Sequence, residues 1–401
     1  MRTYDFIVVG GGILGASTAL HLKKQFQDGK ILLLEKEHCL AVHQTGHNSG
    51  VIHAGIYYAP KSLKSRFCIE GNRRTKEFCQ LKGISFKECG KILVATNDLE
   101  VERLKVLWGR TARNGLERHW LDRKQLQEKE PNIEGKNGIF VPSSGIVDYS
   151  EITQAVVEEF ISLGGELRLG VDVQAIDESS RDVKIMAGKE SFSAAYLVSC
   201  AGLMSDKIIK MLGLKSDFTI CPFRGEYFRL PQHKSNLVRH LIYPVPDPSM
   251  PFLGIHLTPM INGDLIIGPN AVLALKREGY KKTDINLFEF FHVLLQPGVA
   301  KVLIRHFKSG VTELKNSYFK GAYVRQVKKY CPSVTVNDLL PYPAGVRAQA
   351  IHKSGKLIDD FHFFESARSL NVCNAPSPAA TSAFPIGAYI TEKINIATKQ
   401  I

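Results

Sequence analysis

The sequence lacks the features that mark several classes of protein. Its eight cysteines are scattered, none forms a C-x-x-C pair, and none lies at metal-ligand spacing from histidines. We therefore expect reduced thiols, no disulfide framework and no bound metal. No window approaches 18 uninterrupted apolar residues, so we expect no membrane-spanning helix. No signal peptide precedes the first predicted strand, which predicts a cytoplasmic protein.

Internal repeats and low-complexity tracts are also absent from the sequence. What remains is a chain of 401 residues that is 44% hydrophobic and 23% charged. These proportions are typical of a globular protein with a full core. The length exceeds that of one typical domain, so we expect two joined domains. Nothing in the sequence decides the oligomeric state.

Acidic residues are scarce relative to basic ones, and the net charge is +13. Residues 276–329 hold twelve Lys or Arg against four Asp or Glu, interleaved with large apolar residues. Such a segment suits peripheral contact with an anionic membrane, here the cytoplasmic face of an inner membrane. A cap helix with a solvated basic face is the other interpretation. Nucleic acid attracts similar charge, but no recognition motif is present, and we predict no nucleic-acid partner.

The first 35 residues contain a dinucleotide-binding pattern. A short apolar run precedes Gly10, Gly12 and Gly15, which have G-x-G-x-x-G spacing, and a helical pattern follows them. The glycines allow a tight turn, close approach of the backbone to a pyrophosphate, and close helix–strand packing. A second apolar run ends at Glu35, about 20 residues later, where a carboxylate binds the ribose hydroxyls. The pattern predicts a bound dinucleotide.

The motif lies at the N-terminus of a chain of this length. This position favours FAD over NAD, although many NAD enzymes start in the same way. Glu35 argues against NADP, whose 2′-phosphate a carboxylate would repel.

Further along, the strand and helix pattern of a nucleotide-binding domain returns twice. We predict an α/β protein with a discontinuous, Rossmann-like FAD-binding domain made of residues 1–80, 145–220 and 341–401. The substrate domain is predicted at residues 81–144 and 221–340, as an inserted α+β unit on a mixed or antiparallel sheet.

Seven segments occur in a fixed order across nearly the whole chain. They read G-G-G-I-L-G, T-G-H-N-S-G-V-I-H-A-G-I-Y-Y, R-G-E-Y-F, G-I-H-L-T-P, G-P-N-A, A-G-V-R-A-Q and S-P-A-A-T-S. In these segments the chain closely resembles the L-2-hydroxyglutarate oxidase or dehydrogenase family. That family lies in the D-amino-acid-oxidase-like group of FAD enzymes.

The resemblance implies oxidation of L-2-hydroxyglutarate to 2-oxoglutarate, with hydride transfer from the α-carbon to flavin N5. The substrate is thus a small dicarboxylate hydroxy acid. The electrons would pass to a quinone or to oxygen, and the residues do not decide between them. An amino-acid or amine oxidase of the same fold stays open as the alternative.

This chemistry needs a base near the hydroxyl, and histidine suits neutral pH. His53 is the first candidate base, and His256 is the second, as base or as hydrogen-bond donor. Arginine binds carboxylates bidentately, so Arg347 is the first candidate for holding a substrate carboxylate and Arg224 the weaker one. Tyr57 is a further candidate for binding substrate through its phenol.

The remaining predicted site residues bind the cofactor. Several of them lie in glycine-rich or strand-end segments that the resemblance places against FAD. Whether the flavin is covalently attached stays open. These residues are Thr45, Asn48, Ser49, Gly50, Val173, Ala201, Gly202, Pro378, Ala379, Ala380 and Thr381.

Overall fold

The computed structural model describes residues 2–248 and 253–398. Twenty strands lie within these residues. In chain order they are β1 (Arg2–Val9), β2 (Ile31–Leu34), β3 (Val51–Ile52), β4 (Phe86–Lys87), β5 (Lys91–Ala95), β6 (His119–Leu121), β7 (Asn137–Val141), β8 (Gly145–Val147), β9 (Glu166–Arg168), β10 (Ala175–Glu178), β11 (Val183–Ala187), β12 (Glu190–Ser199), β13 (Phe218–Arg229), β14 (Leu241–Pro244), β15 (His256–Pro259), β16 (Leu265–Gly268), β17 (Val272–Leu273), β18 (Leu340–His352), β19 (His362–Glu365) and β20 (Ser369–Asn374).

The same residues form eleven α-helices and three short 3₁₀ turns. The helices are α1 (Ile13–Gln25), α2 (Leu63–Lys82), α3 (Asp98–Ala112), α4 (Arg123–Lys129), α5 (Tyr149–Ser162), α6 (Ser205–Met211), α7 (Leu287–Leu294), α8 (Pro297–Arg305), α9 (Phe307–Tyr318), α10 (Lys320–Val327) and α11 (Ala383–Thr398). The 3₁₀ turns are Gly202–Met204, Gln232–Lys234 and Val336–Asp338.

The first sheet has eight strands around a parallel centre. β9, β2, β1 and β12 lie side by side and parallel, and β20 extends the sheet from the second half of β12. The β10–β11 hairpin pairs antiparallel with the first half of β12. All four residues of β2 are buried, as a parallel strand covered on both faces requires. Helices α1, α5 and α11 supply much of the largest apolar cluster against this sheet.

The second sheet has nine strands and is mixed. Its order is β17-β13-β16-β15-β14-β5-β7-β6, with β18 on the other edge of β13. β14 and β5 are parallel, whereas the other pairs are antiparallel. The two-domain division stays a prediction, but β18 pairs along β13 in this second sheet. The predicted boundary at 341 would have assigned that strand to the FAD-binding domain.

A third, three-stranded sheet (β3-β8-β4) completes the architecture. The α/β class predicted from the sequence is confirmed. Helix α2 begins one residue after its capping residue Ser62, whose hydroxyl accepts a hydrogen bond from the Ser65 amide. Such a cap satisfies a backbone donor of the first helical turn.

No single helix in the described ranges combines the length and apolarity needed to cross a bilayer. Taken together, α7 and α8 meet those two criteria, with a bend of 79° at the break between them.

Candidate active site

The turn between β1 and α1 depends on glycine at two positions. Gly10 has a φ of +112°, and a Cβ there would lie 2.5 Å from the carbonyl oxygen of Cys200. A Cβ on Gly15 would lie 1.8 Å from the carbonyl oxygen of Gly10. The turn is therefore pressed against the end of β12 and leaves its outer side to a ligand.

Thr45 and Glu35 fix this turn from two sides. The Ile13 amide, at the start of α1, donates to Thr45 Oγ1 at 3.0 Å. Glu35 is only 8% exposed, and its carboxylate accepts from the Gly11 and Glu37 amides. Its position after β2 and beside the glycine turn is the one that binds a ribose in dinucleotide folds.

A cavity of about 910 Å³ runs from this turn to the second sheet. Most of the residues predicted to bind cofactor or substrate line it; Gly15, Gly50 and Arg224 do not. Binding pockets for organic cofactors commonly reach this volume. Among the described residues the buried hydroxyl of Tyr57 has no hydrogen-bond partner, and it faces this cavity. The glycine turn, Glu35 and the cavity together fit FAD.

Thr381 joins the loop before α11 to the segment around His53. Its hydroxyl oxygen lies 3.1 Å from the His53 amide, which donates to it, and 2.9 Å from the Tyr149 hydroxyl. It also donates to the Val51 carbonyl at 3.2 Å. The side chain is fully buried. This contact holds the predicted flavin-side loop, residues 378–381, next to the first candidate base.

His53 lies between the cavity and a buried lysine. Its Nε2 is 3.4 Å from the Ser377 hydroxyl, which lines the cavity. Its Nδ1 is 3.4 Å from Nζ of Lys91. Burial is the main cause that holds the pKa of His53 well below its usual value, and the charge of Lys91 and the nearby His256 add to it.

His256 occupies the wall formed by the second sheet. Its Nδ1 is 3.0 Å from the carbonyl oxygen of Gly254, which can only accept, so Nδ1 carries the proton and Nε2 a lone pair. The ring stacks on Tyr243 with centroids 3.8 Å apart. Burial, helped by the charges of Lys91 and Arg347 and opposed by the Gly254 hydrogen bond, lowers the pKa of His256 to about 3.

Arg347 projects from β18 into the same cavity. Burial lowers its pKa, while nearby Tyr227 and Glu313 favour the charged form. Tyr57 also lines this cavity, and burial raises the pKa of its phenol well above the usual value. The cavity therefore brings together the two histidines, the arginine and the tyrosine that were predicted to act on substrate.

Arg224 is the predicted substrate-binding residue that the structure does not bring to the cavity. It donates to Glu226 and to the Lys281 carbonyl, each at 3.1 Å. The reason is the strand register, in which Arg347 faces Phe223 and Val346 faces Arg224. Neighbouring residues of a strand point to opposite faces, so the two arginines point away from each other.

No motif in the sequence pointed to Lys91 or Tyr243. Lys91, at the start of β5, is 1% exposed, and its ammonium lies 4.1 Å from the centroid of the Tyr243 ring. Burial lowers the pKa of Lys91 to about 8. The apolar residues that follow Lys91 indicate a strand. A lysine at the end of a strand is ordinarily exposed to solvent, so the sequence does not indicate that Lys91 is buried.

A charged cluster joins the edge of the cavity to the start of the basic segment. Glu37, His43 and Glu278 place possible ligand atoms within 4.8 Å of one another. Lys36 pairs with both carboxylates, and His43 is hydrogen-bonded to Glu37 at 2.9 Å and to Tyr280 at 3.0 Å. An ammonium group thus occupies the position between the carboxylates that a cation would take.

Comparison with known proteins gives results that agree with this geometry. Residues 5–393 match the family model described as FAD dependent oxidoreductase. The chain is 55% identical over 392 residues to L-2-hydroxyglutarate dehydrogenase of Escherichia coli K12, covering 98% of this chain and 93% of that protein. It is 41% identical to the mitochondrial L-2-hydroxyglutarate dehydrogenase of Homo sapiens, covering 98% and 89%.

Among solved structures, the chain is similar to the FAD-bound L-α-glycerophosphate oxidase of Mycoplasma pneumoniae. The TM-score is 0.79 at 21% identity, covering 98% of this chain and 95% of that one. At this identity the similarity establishes the fold.

Proposed function

The chain belongs to the FAD dependent oxidoreductases and, within them, to the L-2-hydroxyglutarate dehydrogenases, and we propose that it oxidises L-2-hydroxyglutarate to 2-oxoglutarate. FAD is the cofactor, and the reaction acts on a CH–OH group. The family, the cofactor and this reaction were all predicted from the sequence, and the comparisons confirm them.

The observation that best supports this substrate class is the charge of the inner cavity. Arg347 brings a guanidinium to this cavity, His53 and His256 line it beside Arg347, and burial disfavours a proton on each of the three. An anionic substrate stabilises such charges, because opposite charges attract strongly away from water. A hydroxy acid with two carboxylates complements the basic groups of the cavity better than an amino acid does, because they would repel the amino acid's ammonium group.

We assign the roles as follows. Arg347 binds a substrate carboxylate with its planar guanidinium. His53 takes the hydroxyl proton at Nε2, the ring nitrogen on the cavity side. His256 orients the substrate through its Nε2 lone pair, and Tyr57 donates its free hydroxyl. Bound FAD supplies the oxidising power and accepts the hydride from the α-carbon.

Residues at the turn and the strand ends bind the cofactor in this proposal. Gly10, Gly12, Gly15 and Glu35 hold the ADP part, and Val173 contacts the adenine through its backbone. Residues 45–50, 201–202 and 378–381 lie along the pyrophosphate and the flavin.

The function is tested by mixing the purified holoenzyme anaerobically with L-2-hydroxyglutarate and following the flavin absorbance. Rapid bleaching by the L enantiomer is expected, with none by D-2-hydroxyglutarate, glycine, D-alanine or glycerol 3-phosphate. Bleaching by an amine instead would support the amino-acid oxidase alternative and refute the proposed substrate.

For the electron acceptor we propose a quinone reached at a membrane surface. Eleven of the 22 exposed large apolar side chains in the described residues lie between Ile285 and Phe319. Phe288, Leu295 and Ile304 are the most exposed of them, at 83%, 79% and 77%. Exposed basic residues such as Lys308 lie among them. This combination suits an anionic bilayer, which takes up apolar anchors and attracts basic side chains.

The surface predicts binding to vesicles that contain phosphatidylglycerol and weaker binding to pure phosphatidylcholine or at high salt. Replacing Phe288 and Phe307 with serine is expected to weaken vesicle binding about tenfold or more, since each buried side chain contributes about 1.5–3 kcal/mol. The matched control replaces Leu99 and Val106 with serine; these residues are also largely exposed but lie on α3. Equal loss in both variants, or no vesicle binding in the unaltered protein, would contradict a docking surface on α7–α9.

A further inference from the structure

Lys91 is a buried amine with no acidic partner. In the described part of the chain no carboxylate pairs with it, and the groups that favour its charge are the thiols of Cys68 and Cys89. Its Nζ faces the aromatic rings of Tyr57 and Tyr243 and the imidazole of His53. A buried ammonium without a counterion is costly, which suggests a use that the proposed roles above do not include.

The contact with His53 links the two ionisation states of the lysine to the two tautomers of the histidine. A lysine ammonium has three donors and no acceptor. When Lys91 is charged, Nδ1 of His53 must accept from it, and the proton of the neutral ring is then on Nε2. When Lys91 is neutral, Nδ1–H can donate to the amine, and Nε2 is left with its lone pair facing the cavity.

We propose that Lys91 is a positioning residue that selects the tautomer of His53 in which Nε2 can act as the base. This inference rests on the proposed function, since it concerns the removal of the substrate's hydroxyl proton. In the reactive state the substrate O–H bond breaks as the Nε2–H bond forms. The Nδ1 proton then passes to the Lys91 amine, and the α-hydrogen leaves as hydride to FAD with its electron pair, giving the ketone. The site is reset when Nε2 releases its proton on the cavity side and Lys91 returns its proton to Nδ1.

The direction of the pH dependence follows from the sign of the shift. Burial lowers the pKa of Lys91 to about 8, so the amine is charged below that pH and neutral above it. The competent tautomer therefore becomes more populated as the pH rises through about 8. The other titratable groups of this region include Tyr57, Tyr58, Cys68, Cys89, Tyr149, Tyr243 and His256. Their pKa values are displaced away from 8 in the directions that keep them neutral.

The kinetic test compares Lys91→Met and Lys91→Arg with the unaltered holoenzyme between pH 6 and 10. For flavin reduction by L-2-hydroxyglutarate, kcat/KM of the unaltered enzyme is expected to rise about tenfold per pH unit below 8 and to level above it. Lys91→Met is expected to lose this rise, because nothing then selects the tautomer. Lys91→Arg stays charged and is expected to be at least about tenfold slower at pH 9. The same rise in Lys91→Met, or full activity of Lys91→Arg at pH 9, would overturn the proposal.

A spectroscopic measurement keeps the inference testable if a variant packs badly or if the substrate differs. The tautomer of His53 is read from two-bond ¹H–¹⁵N correlations in histidine-labelled holoenzyme, with the His53 signals identified by their loss in His53→Gln. The proton is expected to move from Nε2 to Nδ1 as the pH passes through about 8, and in Lys91→Met this step is expected to vanish. A tautomer that does not change in the unaltered protein refutes the role of Lys91, whereas failure of flavin bleaching by L-2-hydroxyglutarate refutes only the proposed function.

Discussion

Replacing His53 with glutamine is expected to lower kcat for flavin reduction by a factor of about 10²–10⁴, the usual contribution of a positioned general base. Glutamine keeps the size and a polar end at the Nε2 position but cannot take a proton at neutral pH. Anaerobic stopped-flow measurement of the flavin absorbance, at saturating substrate, checks the effect on the chemical step.

His119→Gln is the matched control for this variant. His119 lies on β6, is exposed and is not among the residues that line the cavity. It is expected to leave kcat unchanged. If His53→Gln retained more than about a tenth of the original kcat with normal flavin content, His53 would not be the base. His256→Gln would then be the next variant to measure.

The second large effect is expected at Arg347. Arg347→Met should lower kcat/KM for L-2-hydroxyglutarate by about 30-fold or more, because loss of one partner of a buried charge pair costs about 2 kcal/mol or more. Most of the loss should appear in KM, since a carboxylate is bound equally in the ground state and the transition state. Steady-state kinetics with a quinone as electron acceptor, and stopped-flow flavin reduction without it, determine KM and kcat separately.

Arg347→Lys and Arg229→Met are the comparisons for this prediction. The lysine variant keeps the charge but loses bidentate geometry, so its kcat/KM should fall between those of Arg347→Met and the unaltered enzyme. Arg229 pairs with Asp264 at 3.3 Å and does not line the cavity, so its replacement should leave KM unchanged. An unaltered KM in Arg347→Met would place the substrate carboxylates elsewhere.

Local signals in the sequence predict much of the cofactor side of this fold. The G-x-G-x-x-G spacing and the acid after β2 are typical of one geometry, the dinucleotide-binding turn. The structure shows this geometry in the positive φ of Gly10, the tight packing at Gly15 and the buried Glu35. Helix α2 is likewise bounded by a serine cap and by Gly83 in a left-handed conformation. Such features depend on neighbours in the chain and are visible without the tertiary structure.

The substrate side depends on contacts between distant segments. The cavity position of Arg347 and the position of Arg224 on the other face of the sheet, where it is buried beside Glu226, follow from the β13–β18 register, which shifts between Gly225 and Tyr227. A one-residue change in register moves a side chain to the other face, and no local pattern reveals it. The burial of Lys91 depends on β14, which lies 150 residues later in the chain and pairs with β5 in register. Proximity of this kind cannot be deduced from composition or spacing.

The order of the chain also has a consequence for how the protein is made. Helix α1 packs against α11, and β1 depends on β12 for its parallel partner. The glycine turn is translated first, yet α11 begins only at residue 383. At synthesis rates of about 5–20 residues per second, roughly 20–70 seconds separate the two. During that time the apolar face of α1 lacks its final partner, so the nascent chain is expected to need a chaperone before it can capture its cofactor.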